Sequence, residues 1–327
     1  MGDSEEMEVA MENYQKRTDL AIEIRESFPQ DHVEVPGVIL SEEEDEKKEI
    51  KVTTVEIRTE EGAKDMRKPQ GIYITVEFLA DGMGNREKEE GISGAVCQML
   101  HRVVKRLEDK EGKTYRTFLL CGLGNRFATP DALGPFVLEK ITMNRHLGEI
   151  LKEEERRYVF CGIAPGVLSQ TGIESSEILQ GIVEKVEPDA LIVVDALASR
   201  SVNRLCRTIQ ITDTGIAPGA GIGNNRNQIN RETMGIPVIA VGVPTVVDAG
   251  TIIFETLEEA FSEAGYGEEE IHQFFHSIAS EKMETLFVTP KEIDEEIRQV
   301  GKVIAMALER FCREGEAYSV QDGHKID

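Results

Sequence analysis

The sequence has no CxxC pair, no excess of basic residues and no apolar run long enough to cross a membrane, and each absence narrows what the chain does. Its five cysteines (Cys97, Cys121, Cys161, Cys206 and Cys312) are scattered and odd in number. Neither zinc nor redox chemistry is read from them, and a reducing cytoplasm is expected. Cys121 and Cys161 fall in apolar strand patterns, where a thiol serves as a small hydrophobe. Lys and Arg number 37 against 61 Asp and Glu, a net charge of -24. A chain this acidic lacks the basic face of a general nucleic-acid binder; its charge serves solubility or the approach of a cationic partner. The longest apolar run, residues 237–247, stops at Asp248, short of the roughly 18 residues of a membrane span. The first residues are acidic rather than basic-then-apolar, which reads against a signal peptide, and position 6 lacks the Ser or Thr of a myristoylation signal. There is no internal repeat and no low-complexity segment.

What is present suits a soluble α/β protein. The 327 residues are 40% apolar and 30% charged, enough to bury a substantial core as one large domain or a domain with a small appendage. Strand-like runs at Lys51–Arg58 and Gly71–Phe78 are followed by helical periodicity over Ile92–Leu107, with Val96, Leu100, Val103, Val104 and Leu107 on one side. The run Glu42–Glu49 reads as a solvated loop or helix face. Strands and helices then alternate: Thr117–Cys121, a helix over Pro135–Leu151, Tyr158–Ile163, a helix over Ser175–Val186, Ala190–Val194, Thr208–Thr212, Pro237–Val243 and a helix over Val246–Ala264. Two more helices are expected over Glu268–Ser280 and Pro290–Arg313. This alternation predicts βαβ units in a mostly parallel sheet with helices on both faces.

Two aspartates stand where such a sheet places its chemistry. The strand Phe118–Cys121 runs into Gly122-Leu123-Gly124-Asn125, a glycine-rich turn that delivers Asp131 before the next helix. The strand Ala190–Val194 ends on Asp195. Both carboxylates are thus expected at the carboxyl ends of two parallel strands, where open α/β sheets place their active sites. A helix cap at Thr129-Pro130-Asp131 and simple strand termination at Asp195 would use the same residues. Jointly, two close carboxylates do not both ionise easily, so one holds a proton while the other stays a base and a water between them is activated. Farther apart, each acts through its own water or ligates a metal.

Other patterns carry less. Asp213-Thr214-Gly215 matches the catalytic triplet of pepsin-like aspartic proteases, but those are all-β folds. The cluster Gly219, Gly221 and Gly223 falls short of GxGxxG because Asn224 stands at the last position; the segment 213–226 reads as a flexible loop near the site. His272 and His276 have helical metal-ligand spacing but lack the glutamate of HExxH. No histidine lies close in sequence to the two aspartates.

Longer blocks resemble the germination proteases of spore-forming bacteria. They are Arg17-Thr18-Asp19-Leu20-Ala21, Gly122-Leu123-Gly124-Asn125, Thr129-Pro130-Asp131-Ala132-Leu133-Gly134-Pro135, Arg145-His146-Leu147, Ala164-Pro165-Gly166-Val167, Thr171-Gly172-Ile173-Glu174 and Asp195-Ala196-Leu197-Ala198-Ser199-Arg200. Further blocks are Thr208–Ile211 into Asp213–Ile216, Gly242–Ala249 and Val288-Thr289-Pro290-Lys291-Glu292. The resemblance implies an atypical aspartic endopeptidase whose fold is similar to the hydrogenase maturation proteases. It puts the catalytic pair on Asp131 and Asp195, with Gly122, Gly124, Asn125, Asp213 and Gly215 in loops that shape the site. The hydrogenase proteases' nickel-binding histidine has no counterpart here, so no metal and no cofactor are expected; a metal-dependent peptidase of the hydrogenase-maturation type is the alternative. An acidic, non-cleaving partner of basic spore proteins is the non-enzymatic one.

The resemblance further implies a self-processing zymogen, a homotetramer of the forespore or spore core, which degrades small acid-soluble, DNA-coating spore proteins. Asp19-Leu20-Ala21-Ile22-Glu23 is similar to the family's cleavage pattern. Residues 1–19 are therefore expected to be a prosegment cut between Asp19 and Leu20, and residues 20–327 the peptidase domain. Better-known members carry a longer insertion before the Val288 block, so the appended subdomain around residues 265–285 is expected to be short.

Overall fold

Runs of β-branched and apolar residues build the sheet. In this computed structural model, residues 18–26, 28, 35–79, 83–147, 158–219, 226–267, 270, 271, 274 and 286–315 are described. Most of the expected helix Glu268–Ser280, both His272 and His276, most of the 265–285 region and residues 1–17 of the expected prosegment lie outside them. The strands are β1 (Val38–Asp45), β2 (Ile50–Ile57), β3 (Gly71–Phe78), β4 (Thr117–Gly122), β5 (Val159–Ile163), β6 (Ala190–Ser199), β7 (Thr208–Thr212), β8 (Val238–Asp248) and β9 (Phe287–Val288). The helices are α1 (Ala21–Glu26), α2 (Glu60–Asp65), α3 (Arg86–Glu111), α4 (Leu133–Glu139), α5 (Leu168–Thr171), α6 (Ser175–Val186), α7 (Arg231–Met234), α8 (Ala249–Glu263) and α9 (Ile293–Glu314).

The strands form one sheet in the order β1-β2-β3-β7-β8-β6-β4-β5, with β9 paired to β8. The α/β class is as expected, but the sheet is mixed. It is parallel across β8, β6, β4 and β5 and antiparallel across β1, β2, β3, β7 and β8. Only a four-residue turn, 46–49, joins β1 to β2, and so short a link permits only antiparallel pairing. Glu42–Asp45, expected in a loop or helix, lies in this edge strand instead. Its side chains point mostly to solvent, with Glu42 ion-paired to Lys51 at 2.8 Å. Charged side chains on an exposed edge discourage pairing with another chain.

Alternation along the strands sorts the core into two layers. On one face Leu120, Ile192, Val194, Ile239 and Val241 pack with Leu100, Val104, Ile304 and Phe311 of α3 and α9. On the other, Leu119, Cys121, Leu191, Val193 and Val238 meet Leu179 and Val183 of α6. Continuous burial along β6 and β8 follows from having both faces covered. Helix α3 starts on the Asn85 cap and ends on Gly112 in the left-handed region (φ 65°).

Two helices are shorter than their periodicity predicts. Helix α4 ends at Glu139 rather than continuing toward Leu151. The Asn144 side chain donates to Tyr158 O at 3.0 Å and accepts from Phe160 N at 2.6 Å, turning the chain back along β5. Helix α8 begins at Ala249, not Val246, because Val246 and Val247 extend the ladder with Ala198 and Ser199. Asp248 then caps the helix by accepting from Thr251 N at 3.0 Å.

Candidate active site

Asp195 was expected at the end of its strand, but β6 continues for four residues past it because Ala196–Ser199 keep pairing with β8; the neighbour β4 stops one step short of Asp195. The last β4–β6 partners are Gly122 and Val194, and Asp195 pairs on its other side with Gly242 of β8. A crevice therefore opens beside Asp195, which stays only 5% exposed. Asp195 shares the sheet face of Leu191 and Val193, and Ala196 N donates to its Oδ1 at 3.0 Å.

The turn after β4 brings Asp131 to the same crevice. Gly122 lets strand and helix touch: a side chain there would strike the Gly134 backbone. Gly124, at φ 108°, holds a conformation that strains other residues, and a Cβ there would collide with the Asp131 carbonyl. The Asn125 amide donates to Asp131 Oδ2 at 2.8 Å. The Asn125 side chain accepts from Phe127 N at 3.0 Å and from Gln170 Nε2 at 2.7 Å, which fixes the turn.

Asp131 and Asp195 line one cavity of about 290 Å³, together with Asp19, Leu197, Ile216, Pro218 and Arg226. Burial raises the Asp131 pKa, opposed by the Asn125 amide and by Arg226. Asp195 lies well above the ordinary carboxylate range, first because it is buried and then because Asp131 and Asp19 add negative charge; the Ala196 amide and Arg226 oppose this. Both carboxyls are therefore pushed upward, the more deeply buried Asp195 well upward, and the two do not both ionise easily.

Asp19 reached this cavity without any signal from strand or helix patterns. Its amide donates to Ala198 O at 2.9 Å and its Oδ2 accepts from Ala198 N at 2.9 Å, so one backbone and one side-chain bond hold it against β6. Leu20 and Ala21 are fully buried, and Leu20 packs with Ile22, Leu197 and Ile216. Glu23, 1% exposed, accepts from Thr18 Oγ1, from Arg200 N at 2.7 Å, from Ser201 N at 3.0 Å and from Arg204 Nη1 at 3.5 Å.

Asp213 is not in this cavity. It accepts from Ile72 N at 2.8 Å and faces Arg106 at 3.4 Å, tying β3 to the end of β7. Gly215, at φ 78°, lines a neighbouring cavity of about 210 Å³ with Lys68, Gln210 and Asp19. Of the segment 213–226, Ile216 to Gly219 and Arg226 border the Asp131 cavity; residues 220–225 lie outside the described residues. Lys68 has no motif around it; Gln210 lies in the Thr208–Ile211 block and Arg226 ends the 213–226 segment, but nothing local to either marks it as a cavity residue. Among the described residues, the three groups drawn together with metal-binding chemistry are Cys97, His101 and Glu314, between α3 and α9. Glu314 already accepts there from Cys97 at 3.4 Å and pairs with Arg310 at 2.6 Å.

The sequence profile of the germination proteases matches residues 15–280. The chain belongs to the germination protease family. The germination protease of Clostridium perfringens strain 13 is 43% identical over 313 residues, covering 90% of this chain and 94% of that protein. The Bacillus pumilus germination protease is 36% identical over 359 aligned positions, covering 93% and 95% of the two chains. A solved NiFe hydrogenase maturation protease from Thermococcus kodakarensis aligns at 20% identity with a TM-score of 0.29, over 62% of this chain and 98% of that one. As a germination protease family member the chain is a peptidase. No helix among its described residues is long and apolar enough to cross a membrane.

Proposed function

We propose that this germination protease family member is an aspartic-type endopeptidase in which Asp131 and Asp195 activate water, and that it cuts its own chain between Asp19 and Leu20. One observation carries the reading: Asp19 lines the same cavity as the buried Asp195 and the half-buried Asp131. Asp195, held neutral by burial and by its acidic neighbours, adds no second negative charge. Asp131, the more easily ionised, takes a proton from water as the water oxygen adds to the carbonyl carbon. It returns that proton to the amide nitrogen as the C–N bond breaks. Family membership supports substrates among the small acid-soluble spore proteins, action in the spore core during germination and assembly as a homotetramer. The excess of acidic residues supports a role apart from direct nucleic-acid binding.

The test is intact-mass analysis of wild type, Asp131→Asn and Asp195→Asn at mildly acidic pH, with a peptide containing Glu-Ile-Ala-Ser-Glu. Loss of residues 1–19 and cleavage after the first Glu in wild type alone supports the assignment. Continued cutting by both variants overturns it.

A further inference from the structure

The bond expected to be cut is gripped at its carbonyl. While the amide and carboxylate of Asp19 are tied to Ala198, its main-chain oxygen accepts from Lys68 Nζ at 3.1 Å and from Gln210 Nε2 at 3.1 Å. Gln210 stands on β7, 6% exposed, and its Oε1 accepts from Ala21 N at 2.8 Å. One side chain therefore spans the Leu20 residue, with its donor end turned to Asp19 and its acceptor end to Ala21. Lys68 follows α2, and part of its surface stays in solvent. Its ammonium is desolvated, which lowers its pKa, while the Asp19 carboxylate acts in the opposite direction.

Placing a desolvated ammonium and a fixed amide on a single backbone carbonyl costs solvation that an ordinary turn does not need. The arrangement has a chemical rationale if charge develops on that oxygen. Asp19 lines both cavities: Asp131 and Asp195 border one, and Lys68 and Gln210 border the other.

We propose that Lys68 and Gln210 form the oxyanion site of this peptidase, the donor pair that polarises the scissile carbonyl. The proposal rests on the reading of Asp131 and Asp195 as the water-activating pair. As water adds to the Asp19 carbonyl carbon and its proton passes to Asp131, the carbonyl π pair moves onto oxygen. The resulting negative charge is met by Lys68 and Gln210. Collapse restores the C=O bond and breaks C–N, and the nitrogen takes the proton from Asp131, leaving an Asp19 carboxyl group and a Leu20 amine. In a substrate protein, the carbonyl of the acidic residue before the cut occupies the same position once residues 18–23 have vacated it.

The experiment follows self-processing of the full chain by intact mass as a first-order reaction, and docking of residues 20–24 by amide hydrogen exchange. The variants are Lys68→Met, Lys68→Arg, Gln210→Glu and Asp131→Asn. Gln210→Glu keeps the acceptor for Ala21 N and removes the donor to Asp19. Loss of one oxyanion donor lowers the rate by about 10²–10³-fold, whereas loss of one hydrogen bond of about 1 kcal/mol changes docking by less than about tenfold. The expected result is slow processing by Lys68→Met and Gln210→Glu with exchange near wild type, and partial recovery in Lys68→Arg. A rate loss no larger than the loss of exchange protection would show that the pair only docks the segment, and overturns the proposal. If Asp131→Asn is inactive while Lys68→Met and Gln210→Glu process normally, the oxyanion assignment alone fails. If Asp131→Asn still processes, the aspartate reading fails and this site with it.

Discussion

Removing the Glu23 carboxylate should undock the segment that carries the Asp19–Leu20 bond. Glu23 is an acceptor for two backbone amides, Arg200 N and Ser201 N, as well as for Thr18 and Arg204. In Glu23→Ala both amides lose their partner in a site that is almost closed to solvent. Each buried unpaired donor costs about 1–3 kcal/mol. Water entering the vacated space recovers part of this, which leaves a loss of about 2–4 kcal/mol. At about 1.4 kcal/mol per factor of ten, the docking equilibrium weakens by roughly 30- to 1,000-fold. Glu23→Gln keeps the volume and one acceptor oxygen, so its effect should be smaller. Arg204 remains paired with Glu26 at 2.6 Å and Glu77 at 3.0 Å in either variant. The partly exposed Glu26 is the control: its removal should cost no more than about 1 kcal/mol. Hydrogen exchange at Leu20, Ala21 and Ile22 reads the equilibrium directly. The reasoning is refuted if Glu23→Ala retains protection within about threefold of wild type, or if Glu26→Ala matches it.

Three further outcomes are expected. Asp195→Asn should abolish peptidase activity and should gain thermal stability relative to wild type as pH rises. The raised folded pKa of Asp195 means that its stabilising contribution is complete below the unfolded value of 3.8 and is lost as pH rises through the folded value; a melting difference that does not change with pH would refute this. Gly124→Ala, forced into a strained backbone and against the Asp131 carbonyl, should cost about 1–3 kcal/mol and slow processing, as read by melting temperature and intact mass; wild-type values in both would show that the turn does not position Asp131. Processing should survive exhaustive chelation, and a loss reversed by one divalent ion would move the assignment to metal-ligated aspartates.

The legible part of the fold was the part written in local chemistry. The apolar runs Ala190–Val194 and Pro237–Val243 read as strands and the repeat over Ile92–Leu107 as a helix, and β6, β8 and α3 lie there. The same windows said nothing about strand order. The antiparallel half of the sheet followed from a short turn whose acidic flank reads equally well as a loop. Helices α4 and α8 were overestimated because Asn144 and the β6 ladder, both long-range contacts, decide where they begin or end.

The site divides in the same way. By itself the sequence determined that Gly122, Gly124 and Asn125 make a turn ahead of Asp131, that Asp195 follows an apolar run, and that the chain carries the family's blocks. Asp213, in the most familiar triplet of the chain, was drawn by the fold to Ile72 and Arg106 instead of to the cavity. Only the tertiary structure decided that β4 ends one residue before Asp195 and so leaves a crevice. Only it brought Asp19 there, with Lys68 and Gln210 on its carbonyl. The physical reason is that backbone preference and hydrophobic period act over a few residues, whereas a cavity is made by which strands become neighbours, and that is settled by packing across the whole sheet.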